Sequence, residues 1–249
     1  CTLLRIGEYG GSLPPRNTLQ IITNQFNTPK TFMKKLITLI MALGCFCSVE
    51  AQTDYHIQKA TLYDLLPISK KDIVFLGNSL TDGCEWDELF GMKNIKNRGI
   101  NADNTVQMQK RIDHIIKGQP KKLFLLTGVN DLADKRSPEE TAANIAKMLD
   151  RFINESPRTK LHVQTVLPVN ETYGRFKSYK DRALDEPIKK LNALLKQVCE
   201  ERNIVFIDLY SLMVGEDGRM YPELTNDGLH LLGPGYLIWK EAIEDYVRK

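Results

Sequence analysis

Two distant stretches of the chain carry reactive side chains. Ser79 follows the apolar run 73–76, and near the C-terminus Asp227 precedes His230 by three residues. A serine hydroxyl is a poor nucleophile until a base takes its proton, and that base is most often a histidine. The histidine in turn needs a partner that fixes its tautomer. Because one turn can present the carboxylate of Asp227 and the imidazole of His230 together, these residues predict a Ser-His-Asp triad.

The other histidines are less suited to the role of base. His56 lies near the start of the predicted domain, His114 within a predicted helix among charges, and His162 inside a predicted strand, where core packing is the simpler interpretation. A lone histidine in a loop such as 226–235 is usually a solvated surface residue. The nearby acid and the glycine-rich frame of the loop favour a functional role for His230 instead.

Two further residues are candidates for binding the oxyanion that forms when a serine attacks a carbonyl group. Asn130 follows the third predicted strand, and Gly99 ends the second. The amide of Asn130 can donate hydrogen bonds, and the N–H of Gly99 can approach a substrate closely because glycine has no side chain. Each residue alone also fits an ordinary turn, as Ser79 alone fits a turn or a helix cap. The combination favours a catalytic site.

Alternating strands and helices must position these residues. Short apolar strands are predicted at 73–76, 95–100, 122–127, 161–167 and 204–209. Helices are predicted at 60–66, 85–90, 104–117, 137–154, 182–202 and 235–247. This alternation predicts an α/β fold in which helices cover both faces of a parallel sheet. Ligands bind such sheets at the carboxyl ends of the strands, where Ser79, Gly99 and Asn130 lie.

The sequence before the first strand has features of a targeting segment. Met33 is the first methionine, and two lysines, the apolar run 36–46 and the small-residue end 49–51 follow it. A basic start, a short apolar core and a small-residue end predict a secretory signal peptide. The apolar run is too short for a comfortable membrane span.

We therefore expect three parts in the chain. Residues 1–32 are expected to be a non-native upstream extension, 33–51 a signal peptide and 52–249 one α/β domain that contains the candidate triad. Cleavage near Ala51 would leave a secreted or periplasmic protein without an integral membrane span. A lipid anchor on Cys45 is a second option, since the preceding residues loosely resemble a lipoprotein signal.

Charge and cysteine content narrow the classes of partner and site. Residues 1–51 hold five basic and two acidic residues, and the rest of the chain holds 29 of each. A domain without basic excess is not expected to bind nucleic acid. Cys84 and Cys199 are the only cysteines after residue 51, and they form no C-x-x-C pair, which argues against a zinc or dithiol site. The sequence leaves open whether they form a disulfide or remain free.

At these positions the sequence resembles the SGNH (GDSL-type) hydrolase family. Four short blocks occur in the order typical of that family, and the resemblance extends from about residue 72 to the C-terminus. The blocks are Gly-Asn-Ser-Leu at 77–80, Asn-Arg-Gly-Ile-Asn at 97–101, Gly-Val-Asn-Asp at 128–131 and Asp-Gly-Leu-His at 227–230. The resemblance implies a three-layer α/β/α flavodoxin-like sandwich with a five-stranded parallel sheet. It also implies ester hydrolysis without a metal or another cofactor.

The resemblance also implies roles for individual residues. Ser79 would be the nucleophile, His230 the base and Asp227 the residue that orients the base. The N–H groups of Ser79 and Gly99 and the side chain of Asn130 would form the oxyanion hole. The family usually has aspartate before the serine where this chain has Asn78. Because Asp227 supplies the acid of the triad, we do not expect this difference to abolish activity.

The 97–101 block and the length of the domain are similar to platelet-activating-factor acetylhydrolase-like proteins and secreted sugar acetylesterases. We therefore expect a serine esterase that hydrolyses short-chain esters, in the first place acetyl esters on carbohydrate, through an acyl-enzyme. Its partner would be a small-molecule or glycan ester. A lipase or lysophospholipase-type acylhydrolase and an inactive carbohydrate-binding relative are the alternatives.

Three other classes of protein fit the sequence less well. The α/β-hydrolase elbow G-x-S-x-G has a final glycine where this chain has Thr81. A flavodoxin-like phosphate or flavin binder would leave the Asp-Gly-Leu-His block at 227–230 unexplained. A metal hydrolase would have Asp227 and His230 as ligands but no obvious third ligand.

Overall fold

Five short parallel strands form the centre of the fold in the computed structural model, which describes residues 54–173 and 184–249. The strands are β1 (Ile73–Gly77), β2 (Ile95–Gly99), β3 (Lys122–Leu126), β4 (Lys160–Gln164) and β5 (Val205–Ile207). Their order in the sheet is β2-β1-β3-β4-β5. The expected five-stranded parallel sheet is thus confirmed. The predicted upstream extension and signal peptide lie outside the described residues.

Helices cover both faces of this sheet. The first, α1, is described over residues 54–65. The other α-helices are α2 (Ser79–Asp82), α3 (Trp86–Phe90), α4 (Thr105–Gln109), α5 (Asp113–Gly118), α6 (Val129–Ala133), α7 (Pro138–Glu155), α8 (Asp185–Arg202), α9 (Tyr210–Met213) and α10 (Gly233–Arg248). A 3₁₀ turn, Pro222–Leu224, precedes the last helix. None of the helices in residues 54–173 and 184–249 is long and apolar enough to cross a membrane.

Alternate residues of the strands pack into two separate apolar cores. In β1, Val74 and Leu76 join one core with α7 and α8, and Ile73 and Phe75 join the other with α3 and α10. Successive side chains of a strand point to opposite faces, so a continuous apolar strand requires cover on both sides. Each fully buried aliphatic or aromatic side chain contributes about 1.5–3 kcal/mol. The three-layer arrangement therefore follows from the strand composition.

The register of the sheet brings three strand ends to one level. Gly77 at the end of β1 pairs with Gly99 of β2 on one side and with Leu126 of β3 on the other. The segments that follow these three strands therefore begin side by side at the carboxyl edge. This edge is where ligands bind to parallel sheets.

The short helices α2, α6 and α9 are not among the six predicted helices, and two of the predicted helices have different bounds in the structure. The predicted helix 104–117 is divided into α4 and α5. Between them the buried Arg111 donates to Asp103 and to the carbonyl oxygen of Gly77, so this tertiary network overrides the regular helical pattern. The helix predicted at 60–66 is part of the longer helix α1, which is described over residues 54–65.

The two cysteines in the described residues are buried and free. Cys84 belongs to the core on the α10 side of the sheet, and Cys199 belongs to the core on the α8 side. The structure thus agrees with the option of two buried thiols.

Candidate active site

Ser79, His230 and Asp227 form a continuous chain of hydrogen bonds. The Nε2 atom of His230 lies 2.9 Å from the Oγ atom of Ser79, and its Nδ1 atom lies 2.8 Å from Oδ2 of Asp227. Both distances are within the range required between nucleophile, base and orienting group. The structure therefore brings together the three residues that the sequence predicts as a triad, although 151 positions separate Ser79 from His230.

The turn between β1 and α2 fixes the position of Ser79. A Cβ atom on Gly77 would lie 2.6 Å from the carbonyl oxygen of Leu126, so only glycine fits at this point. The fully buried Asn78 caps α2 by accepting the N–H of Leu80 at 3.1 Å through its Oδ1 atom. One oxygen suffices for this bond, and both asparagine and aspartate are good N-cap residues. Asn78 therefore keeps the capping geometry that an aspartate would provide.

The loop before α10 presents Asp227 and His230 in one turn. Oδ1 of Asp227 accepts the backbone N–H groups of Leu229 at 2.9 Å and of His230 at 2.8 Å, and this leaves Oδ2 for the imidazole. Gly228 has a φ of 90°, and a Cβ atom there would lie 2.1 Å from the carbonyl oxygen of Asn170. The glycine is therefore needed both for the turn and for close packing against the segment after β4.

The surroundings of Asp227 favour its ionised form. Burial raises the pKa of this carboxyl, but hydrogen bonds from the His230 side chain and from the N–H groups of His230 and Leu229 outweigh burial and hold the pKa below its ordinary value. Asp227 is therefore a carboxylate at neutral pH. A carboxylate at Nδ1 keeps the proton on that nitrogen, so Nε2 is the nitrogen that can accept the proton of Ser79.

The N–H of Gly99 is not available as an oxyanion donor in this structure. It donates to Oδ1 of Asn97 at 2.7 Å. A Cβ atom on Gly99 would lie 2.2 Å from the backbone nitrogen of Asp82. The glycine is thus required where β2 packs against α2, and the proposed role of its amide in binding substrate is not supported.

Ala102, three residues after Gly99, has a backbone N–H that is a candidate oxyanion donor. Sequence reasoning did not identify this residue. The neighbouring amides of this loop have acceptors. The N–H of Ile100 donates to the carbonyl oxygen of Gly77, that of Asn101 to Oδ2 of Asp82, and that of Asp103 to the carbonyl oxygen of Ile100. Ala102 has a φ of 61°, and within residues 54–173 and 184–249 its N–H has no acceptor. The residue type gives no signal of this conformation.

Asn130 is joined to the same loop. It lies in the first turn of α6 and is buried, and its Nδ2 atom donates to the carbonyl oxygen of Asp103 at 2.8 Å. Its neighbour Asp131 accepts both the N–H and the hydroxyl of Thr105 at the start of α4. The segments after β2 and β3 are therefore fixed to each other, and the amide of Asn130 is held at the loop that contains Ala102.

A polar cleft with a volume of about 520 Å³ opens at the triad. It is lined by Tyr55, Lys59, Ser79, Asp82, Gly83, Glu85, Asn101 and His230. A second, more apolar groove of about 680 Å³ adjoins it, and Gly83 and Glu85 line both. The groove also contains Cys84, Leu89, Tyr236 and Leu237. Within the described part of the chain, no group of three or more His, Cys, Asp or Glu side chains could hold a metal ion.

Sequence comparison finds partial similarity to larger proteins. N-acylneuraminate cytidylyltransferases of Streptococcus agalactiae are 24% identical to this chain over 157 residues, which is 63% of this chain and 34% of theirs. The chain therefore spans about a third of the length of the curated relatives it matches.

Comparison with solved structures finds similar proteins over most of the chain. A Streptococcus pneumoniae protein provisionally described as a platelet activating factor is 25% identical, with a TM-score of 0.72 over 84% of this chain and 99% of that one. A GDSL-like lipase from Bacteroides thetaiotaomicron is 26% identical, with a TM-score of 0.68 over 77% and 96% of the respective chains. A protein from Bacteroides fragilis, provisionally described as an acylhydrolase, is 27% identical, with a TM-score of 0.66 over 78% and 93%.

The matched family model covers residues 75–238, from β1 to the first turns of α10. This range contains Ser79, Asn130, Asp227 and His230, and it is described as the GDSL-like lipase/acylhydrolase family. The range includes more than half of the sequence. The chain therefore belongs to the GDSL-like lipase/acylhydrolase family.

Proposed function

We propose that this protein is a serine esterase that hydrolyses short-chain esters, acetyl esters of carbohydrates in particular. The observation that carries the proposal is the hydrogen-bonded chain from Ser79 through His230 to Asp227 at the edge of a polar cleft. Family membership supports an acylhydrolase. The polarity of the cleft supports a hydroxylated alcohol as the second part of the ester.

The proposed reaction proceeds in two steps. The Oγ atom of Ser79 attacks the carbonyl carbon while Nε2 of His230 takes the hydroxyl proton. The tetrahedral intermediate then collapses, the bond to the alcohol oxygen breaks, and His230 gives its proton to the leaving alcohol. Water next attacks the acyl-enzyme, His230 takes one of its protons, and the free acid leaves as the serine hydroxyl is restored. Asp227 remains ionised throughout and stabilises the imidazolium.

The negative oxygen of the intermediate needs preorganised donors. We assign this role to the backbone N–H of Ser79, the backbone N–H of Ala102 and the side-chain amide of Asn130. Ser79 is the first residue of α2, so its N–H has no acceptor within the helix. Ala102 replaces Gly99 in this assignment because the amide of Gly99 is already bound by Asn97.

The polar lining of the cleft favours a carbohydrate as the alcohol part of the ester. An acetyl-xylooligosaccharide esterase from Geobacillus has the same fold at 17% identity and a TM-score of 0.57, which is a likeness of fold alone. The lining therefore makes sugar acetates the first substrates to test.

The test compares hydrolysis of p-nitrophenyl acetate and p-nitrophenyl octanoate by the wild-type protein and by Ser79→Ala. We expect the acetate to be the better substrate and the variant to lose at least about a thousandfold in kcat, since the triad acts as a unit. The fold should survive, because Ser79 ends a turn and does not fill a core. Ser211→Ala, a change at an exposed serine of α9, is the matched control. Comparable activity in Ser79→Ala would show that the triad assignment is wrong.

A lipase-like activity on longer acyl chains is the second candidate. The groove that contains Leu89, Tyr236 and Leu237 supports it, since apolar side chains beside the reactive serine are suited to an acyl chain. If octanoate is preferred, Leu89→Gln should weaken that preference without a similar effect on acetate. A preference for acetate that Leu89→Gln does not change would favour the first candidate.

A further inference from the structure

Helix α1 lies outside the region that matches the family model but forms part of the wall of the serine cleft. The match begins at residue 75, whereas α1 is described over 54–65. Tyr55 and Lys59 of this helix line the cleft together with Ser79 and His230. The helix therefore adds side chains to the site that the matched region does not provide.

One carboxylate connects α1 to the catalytic elements. Asp82, in the same helical turn as Ser79, accepts the hydroxyl of Tyr55 at 2.7 Å and an N–H of the Lys59 ammonium group at 3.0 Å. Its Oδ2 atom also accepts the backbone N–H of Asn101 at 3.2 Å. The position of α1 is thus coupled to that of the nucleophile and to the loop that contains Ala102.

Buried contacts further along α1 hold the helix in place. The hydroxyl of the buried Tyr63 donates to the carbonyl oxygen of Gly99 at 2.9 Å, and the guanidinium of Arg98 lies 4.8 Å from the centre of its ring. His56 lies 3.3 Å from the buried carboxylate of Asp103. Side chains on a helix fixed in this way can select a substrate by shape, because they need little reordering when it binds.

The charges on the cleft wall do not favour an anionic substrate group. The ammonium of Lys59 is paired with Asp82, whereas Glu85 has no ion-pair partner among the residues that the structure describes. The lining thus has one cation, Lys59, and two carboxylates, Asp82 and Glu85. An anionic group on the substrate would therefore meet net electrostatic repulsion at this wall of the cleft.

The same side chains are complementary to a neutral group that has many hydroxyls. Glu85 offers acceptor oxygens, the amide of Asn101 offers both donors and acceptors, and the ring of Tyr55 offers a flat apolar surface. A sugar ring presents hydroxyl donors and acceptors at its rim and C–H groups on its faces. Both kinds of surface are available on this wall.

We propose that Tyr55, Lys59 and Glu85 form a subsite for the alcohol part of the ester, and that this subsite selects a neutral polyhydroxylated alcohol such as an uncharged sugar. The inference rests on the proposed esterase function. Tyr55 and Glu85 would contact the sugar. Lys59 would act mainly by holding Asp82 and thereby the wall.

The test uses the full chain and three acetate esters that differ only in the alcohol. These are p-nitrophenyl acetate, a methyl glucopyranoside monoacetate and the matching glucuronate monoacetate. For the wild type we expect kcat/KM on the neutral sugar acetate to exceed that on the glucuronate ester at least fivefold at low salt. The difference should shrink as salt is added, because salt screens the repulsion.

Two variants examine the two parts of the subsite. Tyr55→Ala should lower the ratio of kcat/KM for the neutral sugar acetate to that for p-nitrophenyl acetate at least fivefold, mainly through KM. Glu85→Gln should bring the neutral and glucuronate esters within about twofold of each other. Tyr221→Phe and Glu200→Gln change exposed residues outside the cleft lining and should leave both ratios unchanged.

The outcomes separate the subsite from the esterase activity. Hydrolysis of p-nitrophenyl acetate that depends on Ser79, with both ratios unaffected in folded Tyr55→Ala and Glu85→Gln proteins, would overturn the subsite and leave the esterase intact. A preference for the glucuronate ester would overturn the charge argument. Absence of hydrolysis of all three esters would instead overturn the esterase function and, with it, the subsite.

Discussion

At the scale of the residue, Ala102 has a backbone conformation that alanine rarely adopts. A φ of 61° places it in the left-handed region, which costs a residue with a Cβ atom about 1–2 kcal/mol. Strain of this kind persists only where surrounding contacts enforce it, and it is concentrated at functional sites. Here the bonds from Asn101 to Asp82 and from Asn130 to the Asp103 carbonyl fix the residues on either side. In the proposed mechanism this conformation presents the Ala102 N–H to the substrate oxygen.

Two substitutions at Ala102 should therefore have opposite effects. Ala102→Gly should keep kcat within about twofold and raise the free energy of unfolding by about 1 kcal/mol, since glycine adopts this φ without strain. Ala102→Val should lower kcat at least tenfold, because a β-branched residue disfavours this conformation and displaces the N–H. Ester hydrolysis and denaturant unfolding measure the two effects. A folded Ala102→Val protein with unchanged kcat would remove Ala102 from the oxyanion hole.

The candidate site residues show how much of a site can be predicted from a sequence. In the proposed mechanism Ser79, Asp227 and His230 act through their side chains, so their types and spacing are enough to make them candidates. An oxyanion donor from the backbone has no such signature. Gly99 is a reasonable candidate because glycine permits close approach, but that close approach is to the backbone of Asp82 and not to a substrate.

At the scale of the element, the strands are predictable from the sequence and some helix boundaries are not. Apolar runs bounded by glycine, proline or polar residues identify buried strands because both faces of the sheet are covered. The helix α7 is also predictable, since Ser137 caps it and Pro138 occupies its first position. The break between α4 and α5 depends on Arg111, whose buried bonds to distant parts of the chain have no local signal.

Strand β4 contains a titratable group that should make the fold sensitive to acid. His162 is buried and stacks on Phe124, with ring centres 4.4 Å apart. Burial lowers its pKa from 6.5 to about 4. Between these two values the unfolded chain binds a proton that the folded chain does not, so stability falls as the pH decreases from 6.5 towards 4.

We expect the protonation of His162 in the unfolded chain to lower the free energy of unfolding by about 2 kcal/mol between pH 7 and pH 5. This figure follows from about 1.36 kcal/mol for each pH unit below 6.5. Urea unfolding at the two pH values measures the change. The His162→Phe variant keeps an aromatic ring against Phe124 and removes the titrating group, so its loss over the same interval should be smaller by about that amount. An equal loss in wild type and variant would show that His162 is not the source.

At the scale of the whole molecule, one sheet separates two apolar cores and the site forms where both meet its carboxyl edge. Leu80, next to Ser79, belongs to the core on the α10 side, and Leu229, next to His230, belongs to the core on the α8 side, so each core fixes part of the triad. The sequence predicts the parallel sheet and the side of it that binds ligand. It does not predict whether the two cysteines meet, because a separation along the chain gives no distance in space.

The two cysteines offer a test of whether these cores unfold together. Burial raises the pKa of each thiol to about 12, and only a thiolate reacts readily with a disulfide reagent. Cys84 and Cys199 should therefore be protected in the folded protein and react as it unfolds. Because their cores lie on opposite faces of one sheet, disruption of the sheet should expose both.

Labelling in increasing urea, read residue by residue by peptide mass spectrometry, should give one midpoint for both thiols, and a reductant should not shift it. If Cys84 reacted at a clearly lower urea concentration than Cys199, the core beside the serine cleft would open independently, and the sheet would not unfold as one unit.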